Sequence, residues 1–385
     1  MGDPEFPTIR LAAAQAAPPY LDRSAAVRKA CQMIAEAGAG GADVVAFAEG
    51  FIPGHPVWFY HHPALSPESL GYAERLFRNA IEIPGPDVDA LCAAAAAARI
   101  HVVIGVCQRR PGSAGTLWNS QLFIGPSGEV IGVHQKLVPT AAERLVHTGG
   151  AADGMRAFDT EFGRIGGLIC GENSNPLAIN ALIRDQIRVH VASWPNYFAP
   201  GWPPGMAETG LMTGRSIAYM AKCFVINACG TIHPEASDRL ATSDRDRQYL
   251  ADPANLGGST IIDPTGAVIA GPAGPGEQII YADADLGQIV RTKLIHDLAG
   301  HYQRDDVFEF AVLDRTAHRS RRPATAPAEP ETGRRPRVEP SEEVGHTDGS
   351  RAPDGRADRP ALPSHPGAGG VASLPADAVR DRGRP

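Results

Sequence analysis

The 385-residue chain holds only six cysteines, and none falls in a CxxC pair. Spacings of that kind anchor zinc ribbons and dithiol redox sites, and clustered cysteines build disulfide frameworks, so neither class is expected and a reducing cytoplasm is the simplest setting. No uninterrupted apolar run approaches the roughly 20 residues of a membrane span, and no basic segment leads into an apolar core near the N-terminus, so neither a membrane association nor a secretory leader is expected. Basic residues are not in excess: 36 Lys and Arg stand against 43 Asp and Glu, giving a formal charge of −7. With both signs mixed through the first three hundred residues, no nucleic-acid groove is expected. Aromatics make up only 6% of the chain, and Arg315 to Pro385 contains none. A segment made of Ala, Arg, Pro, Gly, Asp and Glu cannot bury enough apolar surface to offset its ordering entropy, so residues 314–385 read as a low-complexity disordered tail. Met1 to Phe6, "MGDPEF", reads as a cloning remnant and is set aside. One folded domain over residues 7–313 remains, long enough for an extensive core.

Within it, short apolar runs alternate with amphipathic ones. Ile9–Ala16 and Asp43–Ala48 read as buried strands flanking a helix over Leu21–Ala37, where Ala26, Val27, Ala30, Met33 and Ile34 recur at helical spacing. Ser66-Pro67 starts a helix with a cap and an N1 proline, and Asp87–Ala98 forms another. Strands follow at His101–Cys107, Leu117–Ile124, Val130–Leu137 and Arg164–Cys170, with Gly125–Glu129 as a hairpin turn. Pro176–Ile187 and Met206–Lys222 read as helices, and Val189–Trp194, Phe224–Ala228, Ser259–Asp263, Ala267–Ala270 and Gln278–Asp283 as strands. This alternation predicts an α/β protein with one mixed sheet or two packed sheets layered by helices.

Three strand ends carry groups able to do chemistry together. "GLICGENSNPLA" (Gly167 to Ala178) breaks from an apolar strand into a capped, proline-started helix, which places Cys170 at a strand-to-helix turn. The positive end of such a helix favours thiolate over thiol, and Gly171 permits close backbone approach or a positive φ. A lone cysteine is otherwise a small core residue. "VVAFAEG" runs into Glu49, a salt-bridging residue or a general base at a pocket mouth. Lys136 ends a further strand, with Glu143 and Arg144 one loop later, and is either a snorkelling surface lysine or a stabiliser of developing negative charge. A nucleophile, a base and an electrostatic stabiliser on separate strand ends match the placement of sites in open α/β sheets.

The stretches "FAEGFIPGHPVW", "HQKLVPTAAERLV", "GGLICGENSNPLA", "VHVASWP" and "DLAGHYQRDDVF" together resemble the nitrilase (carbon-nitrogen hydrolase) superfamily, in its true nitrilase branch. The resemblance implies an α-β-β-α sandwich and a Glu-Lys-Cys triad at Glu49, Lys136 and Cys170, with Glu143 in support. It implies hydrolysis of a nitrile by water through a covalent cysteine intermediate, without metal or organic cofactor, and self-association into dimers and larger spirals. His55, Trp58, Gly171, Trp194, Pro195 and Asn196 either line the pocket or, for the aromatics, pack in the core. An amidase or carbamoylase using the same triad, a cyanide-hydrolysing enzyme, and a catalytically silent scaffold are the alternatives.

Overall fold

Three separate apolar layers follow from the alternation of side chains along the strands, and they fix the architecture. The computed structural model describes residues 4–195 and 205–313. The described residues lie in the unit Met1–Thr325; a second unit, Ala326–Pro385, and the predicted tail 314–385 lie outside them.

Strand β1 (Thr8–Gln15) leads through helix α1 (Arg23–Ala39) to β2 (Val44–Phe47), which pairs parallel to it. Helices α2 (Pro67–Asn79) and α3 (Pro86–Ala98) precede β3 (His101–Arg109), parallel to β2. β4 (Leu117–Ile124) and β5 (Val130–Gln135) continue the sheet antiparallel. The second sheet starts with β6 (Phe158–Thr160) and β7 (Gly163–Ile169). Helix α4 (Pro176–Arg184), β8 (Ile187–Ser193), α5 (Met206–Ala221) and β9 (Phe224–Ala228) follow, with β7, β8 and β9 parallel. Short helices α6 (Pro234–Leu240) and α7 (Asp244–Ala251) precede β10 (Thr260–Ile262) and β11 (Val268–Ala270). Finally β12 (Gln278–Asp285) returns to pair with β1, and α8 (Gly287–Ile295) follows. The two six-stranded sheets run β12-β1-β2-β3-β4-β5 and β11-β10-β9-β8-β7-β6.

In β1, Ala12 and Ala14 face α1 and α3, packing with Ala26, Ala30, Ile34, Leu91 and Ala95. Leu11 and Ala13 face the other sheet, where they meet Val189, Val191, Phe224 and Ile226. On that sheet's far side Leu168, Val225 and Ile262 pack against Ile179, Leu182 and Ile217 of α4 and α5. A sheet buried on both faces needs a cover on each, and the result is the expected α-β-β-α sandwich.

The cap predicted at Ser66 holds, and the helix after Cys170 is capped by Asn175, one of three candidates there with Asn173 and Ser174. Asp22 adds a cap that was not predicted. Asp22 accepts from Ala25 N–H at 2.9 Å to start α1, Ser66 accepts from Ser69 N–H at 3.2 Å to start α2, and Asn175 accepts from Leu177 N–H at 3.0 Å to start α4. Four elements are absent from the sequence reading: β6, α6, α7 and α8. β6 has three residues and α6 only seven, too short for a periodic signal, and in α7 the run "DRDRQYLA" buries only Asp246 and Leu250. Phe6, set aside with the first six residues, packs against the layer between the sheets, and the Arg188 guanidinium lies 4.1 Å from its ring centre. Among the described residues no helix is long and apolar enough to cross a membrane.

Candidate active site

Glu49, Lys136 and Glu143 are 0%, 1% and 2% exposed. Removing three charges from water is costly unless they satisfy one another, so their geometry must be close. Lys136 Nζ donates to Glu49 Oε1 at 2.8 Å and to Glu143 Oε2 at 2.6 Å. Asn119, on β4, donates through Nδ2 to the same two carboxylates, at 2.6 Å each. Glu143 also accepts from Thr140 N–H at 2.8 Å, and its Oε1 lies 3.0 Å from His147 Nδ1. Behind it, His147 Nε2 is 3.2 Å from the Cys107 sulfur. Burial opposes the charged form of Glu143, yet the His147 hydrogen bond and the Lys136 charge hold its carboxyl well below the usual range. For Lys136 burial works against the ammonium, and the neighbouring negative groups overturn it and hold the pKa well above normal. Glu49 has one oxygen engaged twice, while Oε2 is buried without a hydrogen-bond partner among the described residues. An unpartnered carboxylate oxygen in that position is free to take a proton.

Cys170 follows β7 directly, is 5% exposed and has φ of 51°. That left-handed conformation is uncommon for a residue with a Cβ and persists only where neighbours impose it. Asn173 does so, its Nδ2 donating to the Cys170 carbonyl at 3.0 Å and to the Leu168 carbonyl at 3.2 Å. Two expectations change here. The positive φ falls on Cys170, not Gly171, which is exposed and has room for a Cβ that would meet only Thr140 Oγ1, at 3.4 Å. The thiol, expected to favour thiolate, is instead pushed well up: burial dominates, the Glu49 carboxylate adds to it, and the pull of Lys136 and the Gly171 N–H is too small to offset them. The helix starting at Pro176 lies beyond a 3₁₀ turn, Cys170–Ser174, which distances its dipole from the sulfur.

The charges of Glu49, Lys136 and Glu143 all act on Cys170, so the structure gathers all four predicted residues into one cluster. The carbon-nitrogen hydrolase profile matches residues 10–294. The chain belongs to the carbon-nitrogen hydrolase, or nitrilase, superfamily. It is 39% identical to Nitrilase 2 of an unknown prokaryotic organism, over 80% of this chain and 93% of that one. It is 34% identical to a nitrilase of Bacillus sp. (strain OxB-1), over 81% of this chain and 89% of the relative. Among solved structures, Saccharomyces cerevisiae Nit3, a member of branch 10 of the nitrilase superfamily, aligns with a TM-score of 0.60 at 19% identity, covering 79% of this chain and all of that one. The chain is therefore a hydrolase acting on carbon-nitrogen bonds.

The other candidates divide. His55 lies near the cluster, its Nδ1 3.7 Å from Glu49 Oε1, too far for a hydrogen bond, and burial lowers its pKa despite the carboxylates. Trp58 is fully buried against Tyr72, with rings 5.6 Å apart and stacked, in a cluster with Tyr20, Leu76 and Leu250. Trp194 packs with Ile169, Cys170 and Met206, and donates from Nε1 to Asn227 Oδ1 at 3.1 Å. Its carbonyl accepts from Glu49 N–H at 3.0 Å, which ties the two sheets together beside the site. Pro195 is buried beside it, and Asn196 lies outside the described residues. Asn119, His147 and Tyr60 escaped the sequence reading. A signal existed for Asn119, a polar residue in a buried strand next to Ser120 and Gln121. The Tyr60 hydroxyl is pushed up by burial and then by Cys170 and Glu49, which marks it as a neighbour of the site.

Glu49, His55 and Glu143 also place ligand-type atoms within 4.8 Å of one another, but the cation shared by the two carboxylates is the Lys136 ammonium itself. A surface cavity of about 550 Å³, lined by Arg164, Arg188, Ile289 and Lys293 among others, shares no residue with this cluster.

Proposed function

We propose that the chain hydrolyses an organic nitrile to the carboxylic acid and ammonia, with Cys170 as nucleophile, Glu49 as general acid and base, and Lys136 as charge stabiliser. The observation that carries this reading is the unpartnered Oε2 of Glu49, buried in the cluster that acts on a protonated Cys170. The names of the relatives, nitrilases at 34–39% identity along most of their length, support nitrile over amide as substrate.

Glu49 takes the thiol proton as the sulfur bonds the nitrile carbon, and returns it to the nitrile nitrogen, giving a thioimidate. Lys136, with the Gly171 N–H, stabilises negative charge gathering on the substrate. Water then adds to the thioimidate carbon as Glu49 takes its proton. That proton passes to nitrogen, the hydroxyl of the tetrahedral intermediate then gives up its own proton to nitrogen by way of Glu49, and the C–N bond breaks, so that ammonia leaves and a thioester remains. A second water, deprotonated the same way, releases the acid and restores the thiol. If the first tetrahedral intermediate expels sulfur instead of nitrogen, an amide is released. Glu143 holds Lys136 in place, and His55, Tyr60, Gly171, Trp194 and Pro195 border the substrate. Trp58 remains a candidate only through the loop it anchors.

Self-association belongs to this reading, with Leu177, Met212 and Tyr219 of α4 and α5 as exposed apolar side chains available for it, and a cytoplasmic location is its expected setting. The test is ammonia release from one nitrile and its matching amide. Faster release from the nitrile is expected; the reverse preference supports the amidase reading, and a Cys170→Ala protein with wild-type turnover overturns the assignment of the nucleophile.

A further inference from the structure

Glu172 stands two residues past the nucleophile, is buried, and plays no part in the chemistry above. Its carboxylate nevertheless accepts three N–H groups. Oε1 accepts from Leu137 N–H at 2.7 Å, and Oε2 accepts from Ile169 N–H at 3.1 Å and from His134 Nε2 at 2.8 Å. Leu137 follows Lys136 in the chain and His134 precedes it by two, while Ile169 immediately precedes Cys170. One side chain therefore joins the backbone beside the lysine to the backbone beside the cysteine. β5, which leads into Lys136, and β7, which leads into Cys170, belong to different sheets, so this bond set bridges the two halves of the sandwich at the site.

We infer that Glu172 is a positioning residue that sets the distance between the Cys170 sulfur and the Lys136–Glu49 pair. The inference rests on the proposed roles of those three residues. The chemistry requires a carboxylate: both oxygens are used as acceptors and all partners are donors, so an amide of the same shape turns one N–H₂ group toward another N–H. The backbone it restrains is the strained one, since Ile169 leads directly into the positive φ of Cys170. Asn173 completes the restraint from the other side, its Oδ1 accepting from His190 Nε2 at 2.8 Å while Nδ2 holds the Cys170 carbonyl.

The experiment is steady-state ammonia release from an aliphatic nitrile and its amide by wild type, Glu172→Gln, His134→Gln and His134→Leu, with unfolding midpoints for all four. Glu172→Gln is expected to lose about 10²-fold in kcat with KM little changed, because displacement of reacting groups by an ångström costs that much. His134→Gln keeps a donor to Glu172 and is expected to retain turnover, whereas His134→Leu loses about tenfold or more. A merely structural role lowers the unfolding midpoint and leaves kcat per folded molecule unchanged. A folded Glu172→Gln with wild-type kcat overturns the inference; if that variant does not fold, equal kcat in the two His134 variants overturns it. A wild-type chain that releases ammonia from neither substrate overturns the reading of the site and this inference with it.

Discussion

Replacing Glu49 with Gln separates the fold of the site from its chemistry. Oε1 of Glu49 accepts from Lys136 at 2.8 Å and Asn119 at 2.6 Å, and Oε2 has no partner among the described residues. A glutamine carbonyl in the place of Oε1 keeps both hydrogen bonds, and the amide N–H₂ occupies the position that already lacked one. Lys136 retains its other carboxylate, Glu143, at 2.6 Å. Both hydrogen bonds persist and only the acceptor's charge is lost, so the change costs no more than about 2 kcal/mol of stability. Turnover is expected to fall by about 10² to 10⁴, the usual contribution of a general base, or about 3 to 5 kcal/mol of barrier. The thiol moves the opposite way. The Glu49 charge helps hold the Cys170 pKa up, so its removal lowers that pKa, and alkylation of Cys170 should reach its half-maximal rate at a lower pH than in wild type. The assays are ammonia release, thermal unfolding, and alkylation of Cys170 followed by mass spectrometry across pH. A folded Glu49→Gln protein that keeps turnover within about tenfold of wild type, or whose alkylation profile moves to higher pH, refutes the reasoning.

Lys136→Met leaves two buried carboxylates facing each other across Asn119 and should cost about 3 to 5 kcal/mol near pH 8. The pair then takes up a proton in the folded state that the unfolded chain does not bind, so urea midpoints of variant and wild type should converge as pH falls toward 5. Burial lowers the pKa of His190 to about 3, so the unfolded chain protonates first on acidification. The stability this group contributes is complete above about pH 6.5 and lost as pH falls; by pH 5 the loss reaches about 2 kcal/mol. His190→Gln, which keeps a donor to Asn173, should flatten that part of a stability–pH curve measured by urea denaturation. His147→Leu strips Glu143 and Cys107 of a common partner and should cost about 1 to 3 kcal/mol in thermal or urea unfolding, with His147→Asn less affected because it retains a donor.

An α/β fold with one mixed sheet or two packed sheets was legible in the sequence because strands buried on both faces are nearly continuous apolar runs, as β1, β2, β3, β7, β8 and β9 are. The choice of the α-β-β-α sandwich came from the family resemblance. The helix starts at Ser66 and within Asn173–Asn175 were legible because such side chains compete for free N–H groups whatever packs around them. Glu49, Lys136 and Cys170 each had an ordinary structural reading alone, and stood out because a base, a charge stabiliser and a nucleophile occurred together at three strand ends. The protonation state of Cys170 was not legible. The helix-start motif suggested a thiolate, but the sign is set by depth and by the two carboxylates around it, which converge from distant parts of the chain. Asn119, His147 and Glu172 were missed for the same reason: each matters through partners 24 to 70, 4 to 40 and 3 to 38 positions away. Such partners leave no periodic trace. Gly171 illustrates the reverse, a residue whose freedom at φ looked useful and whose neighbour uses that conformation instead.

The raised thiol pKa carries its own argument about how the nucleophile arises. Two carboxylates and one ammonium already leave the buried cluster with an excess negative charge, and a thiolate at Cys170 adds a second in a low-dielectric site. Ionisation by loss of a proton to solvent is therefore opposed by burial and by Glu49 together. Transfer of the proton to Glu49 is different, because it moves one negative charge without creating another. The charge leaves an oxygen held by Lys136 and Asn119 and arrives on a sulfur that Lys136 and the Gly171 N–H favour. In the proposed mechanism the nucleophile thus forms only as the base is consumed. Activity should then lack a limb near the ordinary cysteine pKa, and a limb there that persists in kcat/KM with a non-ionisable nitrile would mean that Cys170 ionises to solvent on its own. The same coupling protects the resting enzyme, since sulfur oxidation follows thiolate character: Cys170 should react slowly with peroxide in wild type and faster in Glu49→Gln, where the opposing charge is gone.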